Sequence, residues 1–276
     1  MKLRKVTAAS AVVLALAVSV TACGGDKKDD ASGGKKIKIG IKFDQPGLGL
    51  KQPDGSFSGF DVDVATYVAK KLGYQPKQIE WVETKSADRE NALQRGDVKF
   101  IAATYSITDE RKQKVDFAGP YLLAHQDLLV KKGSDITKGT DLNSKKLCSV
   151  TGSTSAQNVQ KTIAPKANLR PLSGYSECVA GLQSGAVDAL TTDDSILAGF
   201  AAQDKYKGQF QLTGLKLSNE NYGIGVKKGD SATVDKINKA LEQMVADKSW
   251  DKAVEKNFGP AQYKNEPAPK IGDIVK

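Results

Sequence analysis

An arginine near the start of a short predicted helix is the residue of this sequence best placed to bind an anion. The stretch from Phe100 to Tyr121 begins as a buried strand, turns polar and then reaches Thr108, a suitable helix N-cap. Asp109 and Glu110 follow in the first turn, where acidic side chains suit the helix dipole. Arg111 comes next, and a cation there opposes the dipole, typically by about 0.3–1 kcal/mol. We expect a bidentate contact with an anionic ligand to compensate for that cost. The alternative is an exposed Arg111 paired with Asp109 or Glu110.

Strand and helix patterns alternate around this stretch and predict an α/β fold. Strands are predicted at 37–43, 78–83, 100–103, 127–132, 147–150, 188–192 and 221–227. Helices are predicted at 59–73, at 87–95, from about 155, and at 175–183, 233–247 and 250–258. This order implies mostly parallel sheets with helices on both faces. The segment 44–58, rich in Gly and Pro, is predicted to be a loop. The tail 259–276, with three prolines, is predicted to be loosely attached.

A short internal repeat suggests that two similar units face one ligand. The sequence from Leu93 to Val98 resembles that from Leu182 to Val187, and in both copies a glycine separates a predicted helix from a predicted strand. Eight residues beyond each glycine a polar residue stands at the strand end, Thr104 in one copy and Asp193 in the other. Ligands of open α/β sheets bind outside the carboxyl ends of the strands. Two lobes could therefore clamp one small molecule, although helix–glycine–strand junctions are common.

The N-terminal segment is typical of an export signal that ends at a lipidation site. A basic start is followed by an apolar stretch at 8–20, which is too short to span a membrane as a helix. The residues from Val20 to Cys23 match the lipobox of bacterial lipoproteins, in which the cysteine is diacylated. We therefore expect a signal peptide at 1–22, lipid on Cys23, a flexible tether at 23–36 and a location at the outer face of the cell membrane. The alternative is an ordinary signal peptide with a chance cysteine.

The basic charge of the chain does not indicate nucleic-acid binding. The formal net charge is +9, of which +3 comes from Lys2, Arg4 and Lys5. No acidic residue precedes Cys23, so the mature chain is near +6. The lysines are scattered and the aromatic residues are not interleaved with them. We interpret the excess as a solvated surface beside an anionic membrane.

Two cysteines remain once Cys23 is assigned to lipid. An even number in an exported protein favours one disulfide, between Cys148 and Cys178. A bridge across a loop of this length would stabilise the fold by roughly 3–4 kcal/mol in the chain-entropy model. Two free buried thiols are the alternative.

The sequence lacks the motifs of common catalytic and cofactor sites. Its single histidine, His125, lies in the predicted crossover between the lobes, and there is no G-x-S-x-G elbow to pair with it. No H-E-x-x-H, cysteine–histidine cluster or phosphate-binding G-x-x-x-x-G-K-[ST] loop is present. Gly47-Leu48-Gly49 lacks the third glycine of a dinucleotide-binding loop. We therefore predict a binding protein that uses no metal or cofactor, and not an enzyme.

Two motifs resemble those of a known family. Gly59-Phe60-Asp61-Val62-Asp63-Val64 and Ser106-Ile107-Thr108-Asp109-Glu110-Arg111, with the residues that follow each, are similar to the bacterial extracellular solute-binding proteins of polar amino-acid ABC transporters, family 3. The resemblance implies a monomer with the type II periplasmic-binding-protein fold, in which two hinge strands join two α/β lobes. By similarity lobe 1 covers 37–123 and returns at 217–259, lobe 2 covers 124–216, and 260–276 is a C-terminal tail.

The resemblance also implies roles for the residues that contact the amino-acid backbone. In the family, the residue at the position of Arg111 binds the α-carboxylate of the ligand, together with the residues at the positions of Thr104, Ser106 and Thr154. The position of Asp193 holds the α-ammonium. The loop before Thr154 departs from the family pattern, because it carries Ser153 where threonine is commoner.

The charges at two further positions imply a preference for an acidic amino acid. Family members that bind glutamate or aspartate place cations at the positions of Lys42 and Arg89, and glutamine binders place an acid at that of Lys42. Ser86 is expected to contribute to the same site. The string from Gly40 to Gly47 is similar to glutamate-binding lipoproteins of Gram-positive actinobacteria. The implied function is capture of glutamate, or aspartate, for an ABC permease. A binder of glutamine or another polar amino acid, and a dehydratase on the same fold, are the alternatives.

Overall fold

The strands and helices follow the predicted alternation over residues 35–276, the part of the chain that this computed structural model describes. The predicted signal peptide, Cys23 and most of the tether lie outside the described residues. The strands are β1 (Ile37–Ile41), β2 (Asp44–Gln45), β3 (Gly49–Lys51), β4 (Phe57–Ser58), β5 (Ile79–Glu83), β6 (Phe100–Ile101), β7 (Val115–Lys131), β8 (Lys146–Val150), β9 (Asn168–Leu172), β10 (Ala189–Asp193), β11 (Phe210–Leu212) and β12 (Asn219–Lys227). The helices are α1 (Phe60–Lys71), α2 (Arg89–Arg95), α3 (Asp109–Lys112), α4 (Thr154–Asn158), α5 (Tyr175–Ser184), α6 (Asp194–Ala201), α7 (Ser231–Ala246) and α8 (Ser249–Phe258).

Two half-sheets share the long strand β7. The first has the order β5-β1-β6-β12-β7, and the second runs β7-β10-β8-β9 with β11 beside β7. Strand β1 is parallel to β5 and β6, and β8 is parallel to β9 and β10, whereas β7 and β12 run antiparallel to their neighbours. We call the first half-sheet with α1–α3, α7 and α8 lobe 1, and the second with α4–α6 lobe 2.

The crossover between the lobes is a single continuous strand. Residues of β7 from Val115 to His125 pair with β12, and those from Gln126 to Val130 pair with β10. The strand therefore passes from lobe 1 to lobe 2 between His125 and Gln126, and His125 lies at the crossover as predicted. The outer limits of the predicted lobes stay a prediction.

The internal repeat corresponds to two similar helix ends. Gly96 after α2 has φ 76° and ψ 23°, and Gly185 after α5 has φ 80° and ψ 12°. Both are in the left-handed conformation that commonly ends a helix and that glycine adopts without steric cost. Each glycine directs the chain into a strand, β6 in lobe 1 and β10 in lobe 2.

The prediction of a loop at 44–58 is wrong. This segment contains the three-stranded antiparallel sheet β2-β3-β4, and the Phe43 and Phe57 rings pack at a tilt with centroids 4.8 Å apart. A Cβ on Gly49 would lie 2.6 Å from the carbonyl oxygen of Lys42, so only glycine permits this close approach. The strands are two or three residues long, too short for alternation of apolar residues to show in the sequence.

The prediction of a loosely attached tail is also wrong. Ile271 packs against the main core cluster, and the Gly272 N–H donates to the carbonyl of Gly119 at 3.0 Å. The side chain of Asn221 in β12 forms two hydrogen bonds with the backbone of Val275, at 2.9 and 3.1 Å. The side-chain amide of Asn221 in β12 therefore binds the tail backbone in the way that a neighbouring strand would. The prolines of the tail do not prevent this docking.

The predicted disulfide is confirmed. Cys148 in β8 is bonded to Cys178 in α5, and both residues are fully buried. The bridge ties a central strand of lobe 2 to the helix that begins at Tyr175, beside the other lobe.

Replacing both cysteines should destabilise the protein by about 3–4 kcal/mol, because the unfolded chain regains the entropy of a 30-residue loop. Denaturant unfolding of Cys148→Ala/Cys178→Ala against the unaltered protein measures this difference. Thiol titration of the unfolded, unreduced protein should find neither cysteine reactive. Two reactive thiols, or a double variant as stable as the parent, would contradict the prediction.

Candidate ligand-binding site

Three cationic side chains are buried together in lobe 1. Lys42 follows β1 and is 5% exposed, Arg89 begins α2 and is 2% exposed, and Arg111 in α3 is 8% exposed. Lys42 Nζ donates to Ser86 Oγ at 2.9 Å. Charged side chains are seldom buried to this extent without a partner that compensates for their lost hydration.

Arg89 is held by backbone carbonyls at the end of β6. Its Nη1 donates to the carbonyl oxygens of Ala103 at 3.0 Å and Thr104 at 3.3 Å. Its Nε is buried and has no hydrogen-bond partner among the described residues. The guanidinium therefore has hydrogen-bonding capacity that the surrounding protein does not use.

Arg111 reaches from lobe 1 to lobe 2. Its Nη1 donates to the carbonyl of Ser106 at 2.9 Å, and its Nη2 donates to the carbonyl of Gly152 in lobe 2 at 3.0 Å. Thr108 Oγ1 accepts from the Arg111 N–H at 3.2 Å, which confirms the predicted N-cap. The alternative of an exposed arginine paired with a neighbouring acid is wrong, since the side chain points into the region between the lobes.

Thr104 has a strained backbone at the end of the same strand. Its φ is +46°, a left-handed conformation that is rare for a β-branched residue and that costs on the order of 1–3 kcal/mol. Its N–H donates to Asp61 Oδ2 at 3.0 Å, and its Oγ1 donates to Gln45 Oε1 at 3.3 Å. The surrounding side chains thus fix a conformation that the residue would otherwise avoid, as is common at functional sites.

The nearby arginines disfavour the charged forms of Lys42 and Arg89. Burial and the nearby Arg89 hold the pKa of Lys42 well below its usual range. Burial and the nearby Arg111 lower the pKa of Arg89 to about 10. An anion that approached this cluster would relieve the repulsion and favour the charged forms.

Lobe 2 and the hinge present carboxylates to the same region. Asp193 ends β10, is 4% exposed and accepts a hydrogen bond from the Tyr222 hydroxyl at 2.6 Å. Burial and the nearby Glu220 raise the pKa of Asp193 well above its usual value. The half-buried Thr154 donates to Glu220 Oε2 at 3.4 Å, and Ser218 donates to Oε1 of the same residue at 2.7 Å. A cation is therefore favoured beside Asp193, opposite the cationic cluster of lobe 1.

Two cavities lie where the lobes meet. One of about 250 Å³ is lined by Ser86 and Arg111 of lobe 1 and by Thr154 of lobe 2. The other, of about 100 Å³, is lined by Lys42 of lobe 1 and Tyr175 of lobe 2. The remaining predicted residues line neither cavity and are buried: Arg89, Thr104, Ser106 and Asp193. A small molecule with both negative and positive groups suits this arrangement.

The family of the chain follows from its sequence as well as from this geometry. The family model described as bacterial extracellular solute-binding proteins, family 3, matches residues 37–260. The chain belongs to this family. As an extracellular solute-binding protein it acts outside the cytoplasm.

Individual relatives of the solute-binding protein are similar over most of its length. It is 46% identical over 271 residues to the glutamate-binding protein GluB of Corynebacterium efficiens, which covers 93% of this chain and 91% of that protein. It is 39% identical to the ABC transporter glutamine-binding protein GlnH of Bacillus subtilis, over 92% of this chain and 97% of that one. An ancestral arginine-binding protein bound to arginine has a TM-score of 0.75 and 38% identity, over 81% of this chain and 98% of that chain. The predicted two-lobed type II fold is confirmed.

Sequence reasoning missed several buried polar residues of the solute-binding protein's cleft. Asp61, in the first turn of α1, accepts from the Tyr121 hydroxyl at 2.6 Å as well as from Thr104, and burial raises its pKa to about 6. Gln45 is fully buried, and its Nε2 has no hydrogen-bond partner within residues 35–276. Glu220 is one of seven consecutive buried residues in β12. The available signal in the sequence was an acidic or amide residue within a stretch that is otherwise predicted to be buried. That signal does not reveal which distant residue the polar side chain contacts.

Residues 35–276 contain neither a metal-binding cluster nor a membrane-spanning helix. The described part of the chain contains no group of three or more His, Cys, Asp and Glu side chains that could hold a metal ion. Among residues 35–276, no helix combines the length and apolar character needed to cross a membrane.

Proposed function

We propose that this solute-binding protein is a membrane-anchored lipoprotein that captures glutamate between its lobes, accepts aspartate as a second ligand, and delivers both to an ABC permease. The observation that carries the proposal is the cluster of three buried cations in lobe 1 opposite a buried carboxylate in lobe 2. Glutamate has two carboxylates and one ammonium, and each of them needs a partner when closure excludes water.

The proposed contacts divide between the amino-acid backbone and the side chain. Arg111 binds the α-carboxylate, with Thr104, Ser106 and Thr154 as neighbouring donors, and Asp193 binds the α-ammonium. Lys42 and Arg89, with Ser86, bind the side-chain carboxylate. The unpartnered Nε of Arg89 and the position of Lys42 beside an interlobe cavity support this division.

The relatives support an amino-acid ligand, and their names offer glutamate and glutamine as candidates for the main ligand. The similarity to GluB favours glutamate, and the similarity to GlnH makes glutamine the second candidate. Glutamine carries no side-chain charge and would leave Lys42 and Arg89 without an anionic partner. We therefore place glutamine second, and we propose that the protein acts as a monomer and releases its ligand chemically unchanged.

Arg111→Ala should abolish binding of every amino acid while the fold stays intact, because the loss of a charge-assisted bidentate contact in a closed cleft costs about 2–5 kcal/mol. Calorimetric titration of the mature chain without its lipid against the twenty amino acids tests this, with chromatography of the recovered ligand to detect any product. Arg95→Ala is the matched control, since Arg95 is an exposed arginine paired with Asp97. Near-native affinity in folded Arg111→Ala would refute the assignment, and a product in place of recovered glutamate would refute the binding function.

Lys42→Gln and Arg89→Gln should each weaken glutamate more than glutamine, which narrows the difference in binding free energy by at least about 1–2 kcal/mol. The reason is that only the side-chain carboxylate requires these charges. Arg95→Gln, on the same helix as Arg89, controls for a general loss of positive charge. Equal losses for the two ligands, or none, would remove the physical basis for glutamate.

Cys23→Ser should release the protein from the membrane, because the lipid proposed on Cys23 is what attaches the mature chain to it. Fractionation of cells that express either form measures the distribution. Cys148→Ala/Cys178→Ala is the control, since it alters cysteines without touching the lipobox. Persistence of Cys23→Ser in the membrane fraction would contradict the lipoprotein assignment.

A further inference from the structure

One aromatic ring lies against two of the proposed carboxylate-binding arginines. Tyr105 is fully buried, and the guanidinium carbons of Arg89 and Arg111 lie over its ring at 3.9 and 5.1 Å from the centroid. Guanidinium groups at these distances are attracted to the negative face of an aromatic ring, and the attraction increases when water is excluded. The ring therefore stabilises two cations that repel each other.

The ring is itself held in place from three sides. Its hydroxyl donates to Glu90 Oε1 at 2.6 Å, and the same oxygen lies 3.7 Å from Arg111 Nε. The edge of Phe117 packs on it, with centroids 4.8 Å apart. A Cβ on Gly225 of β12 would lie 2.7 Å from a ring carbon, so the strand has no side chain where the ring passes.

We propose that Tyr105 is a positioning residue that sets the orientation of Arg89 and Arg111 toward the two carboxylates of the ligand. The inference rests on the proposed glutamate function, which it deepens. The carbonyls that accept hydrogen bonds from Arg89 belong to Ala103 and Thr104, the residues directly before Tyr105, so backbone and ring together position that guanidinium. Arg111 is linked to the same ring through Glu90, which contacts both residues.

The competing explanation is that Tyr105 only fills space in the small core cluster that it shares with Phe117. The two explanations differ for the ratio of glutamate to glutamine affinity. Loss of packing alone lowers stability and leaves the ratio unchanged. Loss of the ring that positions the arginines weakens the binding of both ligands through Arg111. It weakens the binding of glutamate further through Arg89, so the ratio of glutamate to glutamine affinity falls.

Calorimetry of Tyr105→Leu, Tyr105→Phe and Phe117→Leu separates these cases. We expect Tyr105→Leu to lower the glutamate-to-glutamine affinity ratio by about tenfold, and Tyr105→Phe, which keeps the ring, to restore most of it. Phe117→Leu should lower the thermal midpoint and keep the ratio. A folded Tyr105→Leu with an unchanged ratio, or a Phe117→Leu with the same fall, would overturn the proposal.

A second measurement needs no change to the ring and covers the case in which Tyr105→Leu does not fold. The side-chain Nε–H resonances of Arg89 and Arg111 in the unaltered protein should be displaced upfield by the ring current of Tyr105, with that of Arg89 displaced more. Arg89→Gln assigns the signal, and exposed Arg95 supplies the reference. Unshifted resonances would overturn the proposal. If the protein binds no glutamate but the resonances are shifted, the proposed function fails and the ring's contact with both arginines stands.

Discussion

The site depends on the burial of like charges. Lys42, Arg89 and Arg111 each lose hydration, and the nearby arginines lower the pKa values of Lys42 and Arg89. Their hydrogen-bond partners within lobe 1 are a hydroxyl and three backbone carbonyls, which do not neutralise a unit charge, and Glu90 Oε1 lies 3.7 Å from Arg111 Nε as an ion-pair partner. The charge of the three cations is therefore only partly compensated by Glu90 and the buried Asp61, and a small anion would compensate more of it.

The fold meets this constraint by placing the chemistry at strand ends. Lys42 follows β1, Thr104 follows β6 and Asp193 ends β10, so each lobe presents polar groups at the carboxyl edge of its parallel strands. The hinge strand β7 connects the two edges without a loop. Thr104 shows the local cost, because its left-handed backbone is held by Asp61 on one side and by Arg89 on the other. The left-handed backbone of Thr104 also sets the direction in which the next side chain, that of Tyr105, leaves the chain.

The sequence predicted the parts of the candidate site whose signal is local. Arg111 stood out because a cation in the first turn of a helix conflicts with the dipole, and Asp193 because it repeats the position of Thr104. The partners of these residues escaped prediction, since they are brought in by tertiary contacts between distant positions. Glu220 meets Thr154 across 66 positions, and Asp61 meets Tyr121 across 60. The tail was misjudged for the same reason: its prolines are visible in the sequence, but the side-chain amide of Asn221 that binds it is not recognisable as its partner.

The proposed selectivity for a dicarboxylate is explained by the protein's own charge distribution. Burial beside Arg89 makes the proton on Lys42 easier to lose, and a carboxylate placed next to both groups acts against that shift. An anionic side chain thus gains its direct contacts and also removes part of the repulsion among the three cations. An amide of the same size accepts hydrogen bonds but leaves the repulsion in place, so glutamine gains only the first of these terms. On the proposed function, the discrimination between glutamate and glutamine therefore arises less from the shape of the cleft than from like charges that the fold holds close together.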